Sequence, residues 1–489
     1  MSWMKRRGVP ADSEARGTEQ IVLCVSLSSF KVDDYMNIIH IYNKYKECGR
    51  RVTTDTRTMK GGEMFFALRG ENFDGNEYAI KALESGASYA VVNSDSDVAR
   101  SDDSRLIKVD DPLNTLQELA RWHRSMTVVD GKPLPVIALT GTNGKTTTKE
   151  LIREVLSVRY KVTATEGNLN NSIGVPLTLL KIAADTQIAV VEMGASHPGD
   201  IKELVDIALP DYGLVTNVGK AHLLGFGSFE GVMATKGELY DYLRRTSDKV
   251  FINVDNPYLC RMASDRNLHS DPERPYSLLI PYGVDYQGAE VLPADAEHPY
   301  LRLRLPVSAE TSVTVNTNLV GAYNADNVMA ALAVGNAFGI SSEEAVKAIE
   351  AYVPSNNRSQ LTVTQKNTLI VDAYNANPSS MEVALANLAS VVSDRKVAML
   401  GDMLELGDDS EALHYEIAMK ALESGVEMIC FVGGEFGRVW DRMPDKHGSL
   451  WFKSSDDLKE WLEDHPVENA TVLIKGSRGT RMEKVLPVL

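Results

Sequence analysis

Apolar residues in this chain fall either into short unbroken runs or into longer stretches where they recur at helical spacing, and the order of the two kinds predicts the elements. From 32 to 131 the pattern is mixed. It predicts a helix over 34–47, short apolar runs at 64–68 and 89–92, and helical stretches at 79–85 and 113–125. Gly and Pro interrupt regular structure, so 130–133 is expected to be a linker. The middle segment opens with a buried strand at 136–139, passes a Gly-rich turn, and continues as a helix through Val155. Strands at 188–191, 214–218 and 250–254 then alternate with helices. That alternation predicts a parallel sheet with helices on both faces. Residues 276–315, with short polar-alternating strands and several prolines, predict a small β appendage. After Pro354 the alternation resumes, with strands at 369–371, 397–400, 428–432 and 472–474 and helices starting near Pro378, Ser410, Ser455 and Gly479. The Ser455 hydroxyl, followed by Asp456 and Asp457, is expected to cap its helix.

The expected fold is therefore α/β with three domains. A mixed α/β N-terminal domain spans 32–132, a central P-loop parallel-sheet domain 133–353, and a Rossmann-like doubly wound domain 354–489. A chain of 489 residues is too long for one core, and about three domains is the expectation from length. Residues 1–31 are expected to form a loose, disordered extension. The basic start at Lys5–Arg7 precedes an apolar patch at 21–27 too short for a secretion signal, with Glu19 just ahead of it.

Charge and composition then remove several classes. The net charge of −16 argues against a nucleic-acid surface, which needs a broad positive face. It does not draw in anionic substrates either, so any phosphate must be held by local donors. No apolar run approaches the roughly 20 residues that span a bilayer. Cys24, Cys48, Cys260 and Cys430 are scattered without metal or redox spacing, which suits a reducing cytosol.

The strongest chemical signal is Gly141-Thr142-Asn143-Gly144-Lys145-Thr146-Thr147, between a strand and a helix. The glycines let backbone N–H groups turn toward phosphate oxygens, the helix N-terminus adds positive potential, and Lys145 neutralises the terminal phosphates. Thr146 offers a hydroxyl to Mg²⁺. Two residues separate Gly141 from Gly144, where the common loop has four. The bland alternative, a turn with a chance Lys-Thr, does not explain the strand before it and the helix after it.

That shortened loop is where a family resemblance enters. Further matching stretches are EGNLNNSIGVP at 166–176, VEMG at 191–194, NVGKAHLLGFG at 217–227, KGE at 236–238, DAYNANP at 372–378, GDMLELG at 401–407 and KGSR at 475–478. Together with TDTR at 54–57, they resemble the Mur ligase family, whose members join an amino acid or peptide to a carboxylate using ATP. The last three stretches narrow the resemblance to members that add D-alanyl-D-alanine to UDP-N-acetylmuramoyl-tripeptide for the bacterial cell wall.

The resemblance implies ATP and Mg²⁺ as cofactors, a monomer, and no nucleic-acid or membrane partner. Glu192, at the end of the strand beside the loop, is expected to hold Mg²⁺ opposite Thr146, and His222 a second ion. The resemblance also implies that Lys236 is carbamylated, which would remove the repulsion of about 8 kcal/mol that an ammonium about 4 Å from a divalent cation would meet at an effective dielectric of 20. ATP contacts are implied for Asn327, Arg358, Asp372 and Tyr374. Asp55 and Arg57 would bind the nucleotide sugar, and Asn168, Asn170 and Asn171 the γ-phosphate and acceptor peptide. Tyr323 stands where the family usually has a histidine. The acidic turn 402–409 with His414, and 475–478, could serve either dipeptide recognition or structure. Two other readings remain open at this stage: a family relative that adds a single amino acid to a muramoyl or folate acceptor, and a P-loop ATPase that needs no amine acceptor.

Overall fold

A computed structural model describes residues 32–246, 248–268, 278–295, 298–354, 360–443, 446 and 448–489. The expected extension at 1–31 and the expected ATP contact Arg358 lie outside these residues. The chain divides into two compact units.

Of the described residues, the first unit comprises 32–135 with 166–189 and 206–209. Its sheet is parallel, in the order Val52–Thr53, Met64–Phe66, Tyr89–Asn93, Leu106–Val109. The predicted run at 79–85 forms the helix Ala79–Glu84, whose Ala82 and Leu83 join Phe65, Ala90 and Val92 in a buried core. Asp111 accepts from the Leu113 N–H, and Pro112 fixes the first turn of the helix Pro112–Met126. That helix explains why the later segments belong here. The buried imidazole of His123 hydrogen-bonds the Ile182 carbonyl at 2.9 Å, and Arg124 donates to the carbonyls of Ala208 and Leu209. The expected linker at 130–133 is instead the end of a two-stranded hairpin, Val128–Val129 with Lys132–Pro133. Asp130 and Gly131 both take positive φ, as the favoured two-residue hairpin turn demands.

The second unit holds two sheets of six strands. The first runs Val162–Ala164, Ile188–Glu192, Val136–Thr140, Tyr212–Val215, Lys249–Asn253, Leu279–Tyr282. Val136–Thr140 is buried along its whole length and lies between a later strand on either side. The strand order reverses there, so the carboxyl end of Val136–Thr140 is the place where open α/β sheets bind ligands. The expectation that 276–315 is all appendage needs correcting. Leu279–Tyr282 is the sixth strand of this sheet, parallel to Lys249–Asn253, and only Glu290–Leu292, Arg302–Pro306 and Ser312–Asn316 form the separate antiparallel sheet.

The second sheet runs Gln360–Val363, Thr368–Asp372, Thr471–Lys475, Lys396–Gly401, Met428–Val432, Ser449–Phe452. It is parallel except for the edge strand Gln360–Val363, and apolar clusters cover both faces, as a doubly wound unit requires. Three local expectations shift. The helix Ser455–Asp464 is capped by Ser454, whose hydroxyl accepts from the Asp457 N–H, and not by Ser455. The chain near Gly479 forms 3-10 turns, Arg478–Thr480 and Met482–Val488, rather than an α-helix. The helix Gly434–Arg442 and the strand Ser449–Phe452 have no counterpart in the sequence-based prediction.

Candidate active site

The loop after Val136–Thr140 is held open by its neighbours. Gly141 has φ 151°, and a Cβ there would lie 1.9 Å from Thr216 Oγ1. Gly144 has φ 76°, and a Cβ there would lie 2.6 Å from Asn327 Oδ1. Asn217, at the end of the adjacent strand, clamps the loop. Its carbonyl accepts from Thr142 N–H at 3.0 Å, its Oδ1 accepts from Asn143 N–H at 2.9 Å, and its Nδ2 donates to the Asn143 carbonyl at 3.1 Å. The Thr216 hydroxyl donates to that same carbonyl at 2.6 Å. Two amides of the loop are thus engaged by Asn217. The first turn of the helix Lys145–Ser157 still presents N–H groups with no intrahelical partner, the usual cradle for an anion.

Around this cradle the fold gathers most of the residues expected from sequence. The Lys145 ammonium donates to the carbonyls of Gly141 at 2.7 Å and Thr142 at 3.1 Å. Thr146 and Glu192 are both buried, and the Thr146 hydroxyl donates to the Glu192 carboxylate at 3.0 Å. This hydroxyl–carboxylate pair beside an anion cradle suits Mg²⁺, which takes only one or two protein oxygens and completes its shell with phosphate and water. Asn327 is buried at the helix start facing Gly144, its Oδ1 accepting from the Thr148 hydroxyl at 2.9 Å and its Nδ2 donating to Asn324 Oδ1 at 2.8 Å.

His222 begins the short helix Leu223–Phe226 in a left-handed conformation, φ 50° and ψ 37°. Its Nδ1 hydrogen-bonds the Glu405 carboxylate. Burial, with help from the nearby Lys145 ammonium, holds the imidazole below its ordinary value against the opposing pull of Glu405. A neutral ring is the form that ligates metals. Lys236 lies inside the helix Phe229–Thr246, only 3% exposed, with its amine 5.6 Å from the centre of the Phe226 ring. Burial first, then the charge of Lys145, pushes that amine well below the usual lysine value, with Asp200 pulling the other way.

Other expected residues form separate groups. Asp372 is ion-paired with the buried ammonium of Lys475, and the Arg478 guanidinium sits 5.9 Å over the Tyr374 ring. Asp55 and Arg57 belong to the first unit. Hydrogen bonds from the Arg57 guanidinium, then from its backbone N–H, bring the Asp55 carboxyl down to about 2. Asn168, Asn170 and Asn171 also belong to the first unit. Asn171 Oδ1 accepts from the N–H groups of Ile173 and Gly174, which secures the turn into the helix Gly174–Leu179.

The acidic turn resolves into structural and outward-facing members. Both carboxylate oxygens of Asp402 accept N–H bonds from Glu435 and Phe436 at the start of the helix Gly434–Arg442. His414 is wholly buried, its Nδ1 bonded to the Ser410 carbonyl and its Nε2 accepting from Met403 N–H. Glu405 points out to His222. Asn217, Glu405 and Asn377, whose Nδ2 donates to Asn143 Oδ1 at 2.9 Å, lie inside the stretches that resemble the family, where sequence alone gives them no role. Their partners are remote in sequence, so no local spacing announces them.

Substituting Gly144 by alanine is expected to weaken nucleotide binding at least about tenfold, because a left-handed Cβ costs roughly 1–2 kcal/mol before the clash with Asn327 is counted. Titration calorimetry of the variant with ATP checks this, and an unchanged Kd would contradict the reading of the cradle.

A switch-point strand, a glycine cradle with its lysine, and a buried hydroxyl–carboxylate pair define a P-loop nucleotide-dependent enzyme. Family models locate the kind more closely. The Mur ligase middle domain matches 139–335, the Mur ligase glutamate ligase domain 357–478, and the Mur ligase family catalytic domain 50–124. Curated relatives in Bacillus subtilis and Escherichia coli are each named UDP-N-acetylmuramoyl-tripeptide--D-alanyl-D-alanine ligase. Each is 33% identical, over 89% of this chain and 92% of the first relative and over 90% and 93% for the second. Among solved structures, MurF from Acinetobacter baumannii superposes with a TM-score of 0.76 at 28% identity, covering 89% of this chain and 92% of its own. The MurF ligase of Thermotoga maritima in complex with ADP gives 0.76 at 25% identity, covering 90% and 97%. The chain belongs to the Mur ligase family.

Proposed function

We propose that this protein is an ATP-dependent ligase that joins D-alanyl-D-alanine to UDP-N-acetylmuramoyl-tripeptide in the synthesis of peptidoglycan precursor. The observation that carries the reading is the anion cradle at Gly141–Thr147 with the Thr146–Glu192 pair beside it, in a chain that matches ligases of this name along nearly their whole length. A carboxylate cannot form an amide directly, because hydroxide is a poor leaving group, and phosphorylation supplies a better one. A carboxylate oxygen of the tripeptide attacks the γ-phosphorus of ATP, the bond from that phosphorus to the bridging oxygen breaks, and ADP departs from an acyl phosphate. The dipeptide amine then attacks the acyl carbon and loses a proton, and the tetrahedral intermediate collapses with loss of phosphate.

Within this scheme Lys145 and the first-turn amides stabilise charge on the phosphoryl group in transfer, where positioning and neutralisation supply most of the rate. Mg²⁺, held by Thr146 and Glu192, would screen the β- and γ-phosphate oxygens, with His222 and Lys236 supporting a second ion. Lys236 fits carbamylation because burial that lowers its amine favours the free-base form, which is the form nucleophilic toward carbon dioxide. Asn327, Asp372, Tyr374 and Arg358 are assigned to ATP, Asp55 and Arg57 to the nucleotide sugar, and Asn168, Asn170 and Asn171 to phosphate and acceptor. The domain boundaries 32–132, 133–353 and 354–489 belong to the same proposal, as do a monomeric state and a cytoplasmic site of action. Among the described residues no helix is long and apolar enough to cross a membrane.

The test is phosphate release by the purified protein, with UDP-N-acetylmuramoyl-tripeptide and D-alanyl-D-alanine added separately and together. Sustained release is expected only with both. Release indifferent to the dipeptide would instead identify an ATPase.

A further inference from the structure

The contact between His222 and Glu405 joins residues 183 positions apart, and both are held in a backbone conformation that side chains disfavour. His222 has φ 50° and Glu405 φ 64°, the left-handed region in which residues other than glycine are uncommon. Strain of this kind persists only where the surroundings impose it, and it concentrates at functional sites. Here the surroundings are explicit. The chain just before Glu405 is fastened twice: Met403 N–H donates to His414 Nε2 at 3.0 Å and Leu404 N–H to Ser477 Oγ at 3.1 Å. Met403 and Leu406 are 1% and 2% exposed, and Asp402 caps the helix Gly434–Arg442. These anchors leave the Glu405 side chain itself 61% exposed, so the core does not need it. The Glu405 carbonyl also accepts from Leu224 N–H at 3.5 Å, which ties the turn to the segment that carries His222.

We propose that Glu405 is a positioning residue that fixes the tautomer and orientation of His222. A neutral imidazole carries one N–H, and a carboxylate accepting at Nδ1 places the proton there and leaves the Nε2 lone pair free. Nε2 is then the atom offered to a cation, with Glu405 as the outer partner that metal-binding histidines usually have. The turn belongs to the C-terminal sheet and His222 to the central one. The ligand-ready form of His222 is therefore favoured where the two meet. This inference rests on the metal role proposed for His222. It explains why Glu405, an exposed acid of the 402–409 turn, sits on so well anchored a mount.

The test uses full-length protein labelled with ¹⁵N-histidine, without substrate, comparing wild type with Glu405→Ala and Glu405→Asp. The His222 ring signals are identified by their absence from a His222→Asn sample. Wild type should show the proton on Nδ1, and Glu405→Ala should shift the population toward Nε2–H. In steady-state phosphate release, Glu405→Ala should lower kcat by about 10- to 100-fold and raise the Mg²⁺ concentration for half-activity, with KM for ATP moving less than about threefold. Glu405→Asp should recover part of both effects, and the melting temperature should stay at the wild-type value. An unchanged His222 tautomer in Glu405→Ala, or an unchanged Mg²⁺ dependence, overturns the proposal. The ring signals are recorded without any acceptor, so they stand apart from the dipeptide requirement that tests the reaction itself.

Discussion

Replacing Lys145 by alanine is expected to lower the rate of phosphoryl transfer by about a thousandfold. One unit charge about 4 Å from another is worth about 4 kcal/mol at an effective dielectric of 20, and each 1.36 kcal/mol is a factor of ten in rate. The chain's net charge is −16, and the neighbouring Lys236 is buried and pushed toward its neutral form, so it adds little compensating charge. Lys145 is also pre-aimed, its ammonium held by the carbonyls of Gly141 and Thr142 at the mouth of the loop. Single-turnover release of labelled phosphate from ATP with both acceptors present measures the effect. A loss smaller than about tenfold would mean the transferred phosphate does not sit at this lysine.

The second large effect is expected at Lys236, where alanine should cost about 10- to 100-fold in kcat and short carboxylic acids such as formate or acetate should restore part of it. The side chain is almost wholly buried against Phe226, and among the described residues no carboxylate forms an ion pair with its amine. A permanently charged ammonium there would be costly on its own and repulsive to a nearby cation. Conversion to a carbamate reverses the sign of the group and gives the buried position an acid. Wild-type activity should then fall in buffer stripped of carbon dioxide and return with bicarbonate. Full activity of Lys236→Ala would end this assignment.

Much of the architecture was legible because its causes are local. The apolar runs at 136–139, 188–191 and 428–432 became strands, and Pro378 and Ser410 did begin helices. The errors came where a short-range signal was outvoted. Asp130-Gly131 reads locally as a linker although it makes a hairpin turn, and Leu279–Tyr282 reads as part of its proline-rich surroundings although the parallel register of Lys249–Asn253 recruits it to the main sheet. The helix Gly434–Arg442 begins amid glycines that favour no helix, and its missing cap comes from Asp402, 33 and 34 residues away.

The candidate site divides along the same line. The amino-acid order alone determined the glycine cradle, because a strand, two glycines, a lysine and a helix start are contiguous and their chemistry needs nothing else. Glu192 could be read from its place at a strand end beside the loop, whereas His222 could be named from sequence only through family resemblance, since an imidazole at a strand end has many ordinary uses. Tertiary structure decided which groups meet: Asn217 clamping Asn143, Asn327 closing on Gly144, Glu405 reaching His222. Such contacts join residues tens to hundreds of positions apart, and the folding of the sheets brings them together. A hydrogen bond across that separation imprints no period or spacing on the chain, so it can be found only once the backbone is in place.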